Sequence, residues 1–234
     1  MPKQSLAEFC RLVSLCSLIV VFGLLGGSVS AQSADTMERP TWKVGDRWVQ
    51  SISREPGRWK GREVSTVLKT GEFDGVPAYH IQFDIDLIDA QGNRRKEQFI
   101  KIRDMNLTPI GYTDQQSRVI RRLKGEWLRW PLVVGASWHV EGTEEFLART
   151  GWVRQKVTHD VTVKRTEEVI TPAGTFGTFL VSSVHRWFDG AGQPVGHGVE
   201  EDWISPQTRI WVKYSFRSSE GSEDGVLVEY RLSP

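Results

Sequence analysis

The chain has 234 residues, with 30 Lys or Arg against 29 Asp or Glu, a formal net charge of +1, and ten tryptophans. That balance excludes a general nucleic-acid binder, which carries a basic excess. Both cysteines, Cys10 and Cys16, lie in a segment read below as removed, so the mature protein has no disulfide staple and no thiol chemistry.

Residues 1–31 read as a signal peptide. Lys3 and Arg11 give a positive start, Leu12 to Leu25 an apolar run, and Val29-Ser30-Ala31 a small-x-small cleavage site. The run is short for a membrane span of about 20 residues. The expectation is cleavage near Ala31 and a periplasmic or secreted protein with no stable membrane span; retention as an anchor is the alternative. Lipid attachment at Cys16 is disfavoured, because Leu15 precedes it where that processing needs a small residue. Without Lys3, Glu8 and Arg11 the chain keeps 28 basic and 28 acidic residues. It is also long enough to bury roughly 70% of its surface unaided.

Residues 32–40 are polar and read as a disordered lead-in. From Trp42 onward the pattern is that of strands. Ile81, Phe83, Ile85 and Leu87 alternate with His80, Gln82, Asp84 and Asp86, the period of a half-buried strand. Val157, His159, Val161 and Val163 share a second such face. Ile210, Val212, Tyr214 and Phe216 share a third, opposite Trp211 and Lys213. Asp74-Gly75, Gln91-Gly92-Asn93, Asp189-Gly190 and Asp224-Gly225 supply hairpin turns. Glu144 to Arg149 reads as a turn of helix or a strand edge. No mature segment shows a sustained helical period, so the predicted fold is all-β and antiparallel, with 10–14 strands by the turn count.

The chain also says the same thing twice. Trp42-Lys43-Val44-Gly45-Asp46-Arg47-Trp48 is answered by Leu132-Val133-Val134-Gly135-Ala136-Ser137-Trp138. Pro77-Ala78-Tyr79 is answered by Pro172-Ala173-Gly174-Thr175-Phe176, and Asp89-Ala90-Gln91-Gly92 by Asp189-Gly190-Ala191-Gly192. The offset grows from 90 to 100 residues, so the second copy carries an insertion. The expected organisation is one β repeat at 41–125 and another at 126–234, packed as one compact domain. Leu123 to Pro131 joins them as a structured connector.

No catalytic signature is present. There is no Gly-x-Ser-x-Gly elbow and no His-Glu-x-x-His. His185 and Asp189 stand about 13 Å apart along a strand, too far to meet on one ion, and His197, Glu200 and Glu201 read as an exposed Gly-rich loop. No metal, cofactor or catalytic residue is assigned. Asp84 with Asp86, and Glu200 with Asp202, share strand faces at a spacing of about 7 Å, which permits paired-acid chemistry; a solvated face is the simpler account. Asn106-Leu107-Thr108 is a glycosylation sequon that matters only in a glycosylating host.

The candidate ligand-binding residues are aromatic: Trp127, Trp130, Trp152, Trp187 and Trp203, with His159 on its valine face. On one concave side they would line a groove; otherwise they are sheet core, as Trp48 and Trp138 are expected to be. A basic stretch holds Arg94, Arg95, Lys96, Lys101, Arg103, Arg118, Arg121, Arg122, Lys124 and Arg129. It reads as solvated strand faces, or as a patch in which Arg118, Arg121 and Arg122 hold an anionic headgroup.

The order Trp42 to Trp48, Trp130 to Trp138 and Thr171 to Phe176 resembles a family of bacterial envelope β-proteins of unknown function. More distantly the chain is similar to lipoprotein-carrier proteins, whose strongly curved sheet shelters acyl chains beneath helices; no such helices are predicted here. That departure argues against a carrier of the same kind. A concave aromatic face with the basic stretch at its rim leads to the expectation of an exported, non-enzymatic protein that binds or carries an apolar or amphipathic molecule such as a lipid. The alternatives are an assembly or scaffold protein that binds an envelope protein, for example through a sheet edge, and an enzyme with an unrecognised site. Titratable groups with opposed pKa shifts converging in one pocket would point to the last.

Overall fold

The structure is a computed structural model that describes residues 35–234. The segment read as a signal peptide, its expected cleavage point near Ala31 and the first part of the expected lead-in lie outside the described residues. Among the described residues there is no helix, and none is long and apolar enough to cross a membrane.

The strands are β1 (Thr36–Met37), β2 (Arg47–Glu55), β3 (Trp59–Phe73), β4 (Val76–Ile88), β5 (Arg94–Asp104), β6 (Pro109–Thr113) and β7 (Val119–Lys124), followed by β8 (Leu132–Val133), β9 (Ser137–Ala148), β10 (Gly151–Thr171), β11 (Gly174–Phe188), β12 (Pro194–Ser205), β13 (Ile210–Ser218) and β14 (Gly221–Arg231). From β2 to β7 and from β9 to β14 each strand pairs antiparallel with the next. β7 pairs with β9 and β14 with β2, so twelve strands close into a barrel with no free edge. β1 pairs with β8 as a separate two-stranded sheet. Thr36 and Met37, within the segment expected to be disordered, are thus held in a strand, because the Met37 side chain is buried against Val161, Val163 and their neighbours. Glu144 to Ala148 is strand rather than a turn of helix, since it pairs with Gly151 to Gln155 across a tight hairpin.

The turn chemistry explains the meander. Asp89 accepts hydrogen bonds at Oδ1 from the amides of Gln91 and Asn93, and Gly92 follows at φ 85°. Asp189 does the same for Ala191 and Gln193, with Gly192 at φ 79°. A carboxylate that satisfies two turn amides, followed by a residue free to take positive φ, fixes a short hairpin. Asp104 and Asp114 build the same turn with Leu107 and Ser117 in the positive-φ position.

The Val-Gly-x-x-Trp motifs are also alike in backbone. Gly45 donates to Val67 O and Val67 donates back to Asp46 O, where β3 bulges. Gly135 donates to Val163 O and Val163 donates to Ala136 O, where β10 bulges.

The apolar core lies towards one end of the barrel. Trp42, Trp48, Val67, Tyr79, Leu107, Phe176 and Leu180 pack there with Ile210, Val212 and Leu227. Met37 and Leu132 add a second layer against Val163, Phe179 and Val181. The outer face of β4 and β5 is charged: Arg94 pairs with Asp86, and Gln98 bonds Asp84. Such a face belongs in water, whereas a lipid-facing strand presents an apolar band.

Candidate functional site

The other part of the barrel interior is a cavity of about 680 Å³. Its lining follows from strand alternation. On β5, Phe99, Lys101 and Arg103 point inward; on β12, Gly196, Glu200, Asp202 and Ile204 do; across β10 and β11, His159 pairs with His185 and Val161 with Ser183. Val195, His197, Ser219 and Glu220 also line it and are exposed, so the cavity reaches solvent where the β11–β12 and β13–β14 turns lie. The apolar core closes the opposite end.

The walls are aromatic and charged at once. Phe83 stacks on Phe99 at 5.2 Å between ring centroids. Lys101 Nζ stands 5.7 Å from the Phe83 ring, 5.6 Å from Tyr112 and 6.0 Å from Trp211. The Arg103 guanidinium lies 4.9 Å from the Trp211 ring and donates to Leu107 O. Cations over aromatic faces are held by the ring quadrupole, which helps the half-buried Lys101 and the buried Arg103 to persist without a carboxylate in direct contact.

Other charges are paired. Arg54 bonds Glu223 and Glu97, Arg121 bonds Glu144, and Tyr214 donates to Glu223 Oε1 at 2.6 Å. His185 Nε2 stands 3.1 Å from Glu200 Oε2, an ion-pair distance but off the line of a formed hydrogen bond.

Burial sets the protonation of this interior. It pushes Glu63 up to about 7, with the Glu223 charge adding to the rise against Lys101 and Arg54. It pushes Asp202 well above the ordinary carboxylate range, and the neighbouring Glu200 charge adds to that. Burial acts the same way on Glu200, but His185, Lys101 and Arg103 outweigh it and hold that group below its usual value. His159 falls to about 3, through burial first and His185 second, and is neutral at physiological pH. Burial opposes ionisation of Tyr112, yet Lys101, Arg121 and Arg103 bring its phenol down.

Four polar atoms of this lining are buried without a hydrogen-bond partner: Arg121 Nε, Trp127 Nε1, His159 Nε2 and His185 Nε2. The last three are neighbours. The Trp127 and His159 rings are 4.1 Å apart, those of His159 and His185 4.4 Å. Trp187 continues the row, stacked on His185 at 5.8 Å. No group of three His, Cys, Asp or Glu among the described residues is placed to hold a metal.

Of the residues singled out from sequence, the barrel brings Trp127, Trp187, His159 and Arg121 into the cavity. Trp130 lies outside it, packed against the core with its N–H donated to Asn106 O. Trp203 faces the other side of β12, bonded to Glu167 beneath Lys213. Trp152 is exposed with Arg122 over its ring, Arg122 bonds Asp74, and Arg118 bonds Asp114 in an exposed turn. Glu63, Tyr112 and Trp211 escaped sequence reasoning as site residues, whereas Lys101 and Arg103 were noted only within the basic stretch, and Glu200 with Asp202 as a pair on one strand face read as solvated; all of these line the cavity. The one available signal was the two-residue spacing of Phe99, Lys101 and Arg103, and of Gly198, Glu200 and Asp202, which puts each set on one face.

No protein-family model matches the chain, and no curated protein does. Among solved structures, it is similar to a candidate lipoprotein from Parabacteroides distasonis, with 14% identity over 83% of this chain and 99% of that one, at a TM-score of 0.49. It is similar to a candidate exported protein with a YmcC-like fold from Bacteroides fragilis, with 15% identity over 84% and 99%, at 0.47. The hypothetical lipoprotein YmcC from Escherichia coli shares 5% identity over 81% and 85%, at 0.41.

Proposed function

We propose that this is an exported, non-enzymatic binding protein whose barrel holds one amphipathic small molecule. The signal-peptide pattern of residues 1–31 supports export to the periplasm or beyond. The observation that carries the binding reading is the cavity: about 680 Å³, within the usual range of ligand sites, open at one end, walled by aromatic rings and set with four unpaired buried polar atoms. Unpaired polar atoms cost free energy that a bound partner recovers. We also read the barrel as two six-stranded copies joined at the β7–β9 and β14–β2 seams, a reading supported by the matching turns and bulges.

Two alternatives fare differently. A scaffold that adds a partner strand has no free edge to offer in the closed barrel. An enzyme keeps one specific observation, the inward pair Glu200 and Asp202 with opposed shifts in one cavity.

Native mass spectrometry of the full chain, purified from an envelope fraction without denaturant, tests the reading. A species heavier than the free chain that disappears on unfolding is expected. A guest whose mass changes on incubation would favour the enzyme. Only the free chain, both as isolated and after soaking in envelope extract, would overturn binding.

A further inference from the structure

The chemistry of the lining narrows the guest, given the binding reading above. An acyl chain fits poorly, because Lys101, Arg103, Glu200 and Asp202 would all be desolvated against hydrocarbon. A simple anion would find Lys101 and Arg103, but Glu200 and Asp202 share the same space, and Arg54 and Arg121 are already paired. A guest must donate to carboxylates, accept from cations, and lay an apolar face on aromatic rings.

Hydroxyl groups do both kinds of hydrogen bonding. A sugar ring carries a rim of them around C–H faces that suit an indole. The unpaired atoms ask for the same mixture. Trp127 Nε1 and Arg121 Nε are obligatory donors, whereas Nε2 of neutral His159 can take either role by tautomer. His159 is 1% exposed and His185 5%, so water outside the barrel does not reach them freely. Beside them Trp187 offers a ring near the open end, lying over Gly196, where a Cβ would come within 3.5 Å of the indole.

We propose that the cavity is a saccharide site, taking a mono- or disaccharide between Trp127, His159, His185, Trp187 and Glu200, with Lys101 and Arg103 at its inner end. Glu200 accepts from ring hydroxyls, Arg121 and Trp127 donate to ring oxygens, and Trp187 covers the C–H face.

Saturation-transfer difference NMR on the full chain tests this. The probes are hexoses, N-acetylhexosamines, uronic acids and their disaccharides, each at tens of millimolar, with sodium laurate as the apolar-chain arm. At least one saccharide class should receive saturation at its ring protons and quench tryptophan fluorescence. Trp187→Ala and, independently, Glu200→Gln should weaken that binding about tenfold or more, with unfolding midpoints near the parent's, while Trp152→Ala outside the cavity leaves it unchanged. Silence across the saccharide panel, or equal binding by Trp187→Ala, overturns the proposal. Laurate binding with silent saccharides overturns the saccharide site but upholds a binding barrel. Silence of every probe together with only the free chain in the mass spectrum sinks both.

Discussion

Asp46 shows what one residue of the repeated motif does. Its side chain is fully buried. Oδ2 accepts from the Lys43 amide at 2.9 Å and from Arg209 at 3.3 Å, and Oδ1 accepts from the Ser233 amide at 2.7 Å. One carboxylate thus ties the start of the barrel, the β12–β13 turn and the C-terminal segment. Trp42 and Trp48 reinforce the tie by donating to Arg209 O and Thr208 O. Asp46→Ala leaves two backbone amides and a guanidinium without their acceptor, a loss of about 3 kcal/mol. Urea unfolding should show the midpoint falling with the slope kept, and the cavity, which Asp46 does not line, should bind as before. A change under 1 kcal/mol would mean that the tie is made elsewhere. The second Val-Gly-x-x-Trp motif carries Ala136 at this position, and its Trp138 Nε1 is buried without a partner. Both motifs were legible as structural, but only coordinates tell that one is a clamp and the other is not.

At the level of strands, sequence alternation was a good guide where the barrel interior is apolar. Ile81, Phe83, Ile85 and Leu87 are buried and Gln82, Asp84 and Asp86 are not, as their spacing predicts. It misled where polarity inverts. On β5 the inward residues are Phe99, Lys101 and Arg103, while Ile100 and Ile102 lie on the outer face under Phe73, whose ring packs on Gly111. A period of two identifies a face but not which face is inside. It also fails at bulges. The shift between Trp203 and Ile204 puts Trp211 into the cavity with Tyr214 and Phe216, although simple alternation sets it opposite them. Closure itself was beyond local pattern, since β7 and β9 meet through only four residue pairs, Arg121–Phe146 to Lys124–Thr143. The β10–β11 ladder runs from Lys156–Phe188 to Thr171–Gly174. The short seam should therefore open first. Hydrogen exchange read by mass spectrometry is expected to show residues 109–124 at least ~10-fold less protected than residues 156–188. The reverse order would show that closure does not depend on that seam.

For the whole molecule, a charged interior makes stability a function of pH on both sides. Glu63 has its folded pKa raised from 4.5 to about 7. A raised carboxyl binds its proton more tightly when folded, so its contribution is complete below pH 4.5 and is lost as pH rises through about 7. The full swing is about 3 kcal/mol. Asp202 is shifted in the same sense and shares that limb. His159 goes the other way, from 6.5 to about 3. The unfolded chain takes up a proton that the folded one refuses, so this contribution is complete above pH 6.5 and is lost as pH falls towards 3. Together these set a stability maximum at mildly acidic pH, about 5 to 6.5, below the sequence pI of about 7.8. Thermal unfolding from pH 4 to 8.5 should trace that dome. Glu63→Gln should flatten the alkaline limb, leaving the part that belongs to Asp202, and His159→Gln should flatten the acid limb, leaving the part that belongs to carboxyls held below their usual range, Glu200 among them. Each variant tests one side alone, because the residue it replaces acts on one side alone. An alkaline limb as steep in Glu63→Gln as in the parent would mean that Glu63 ionises freely, and the barrel would then have to admit water to a side chain that is 6% exposed.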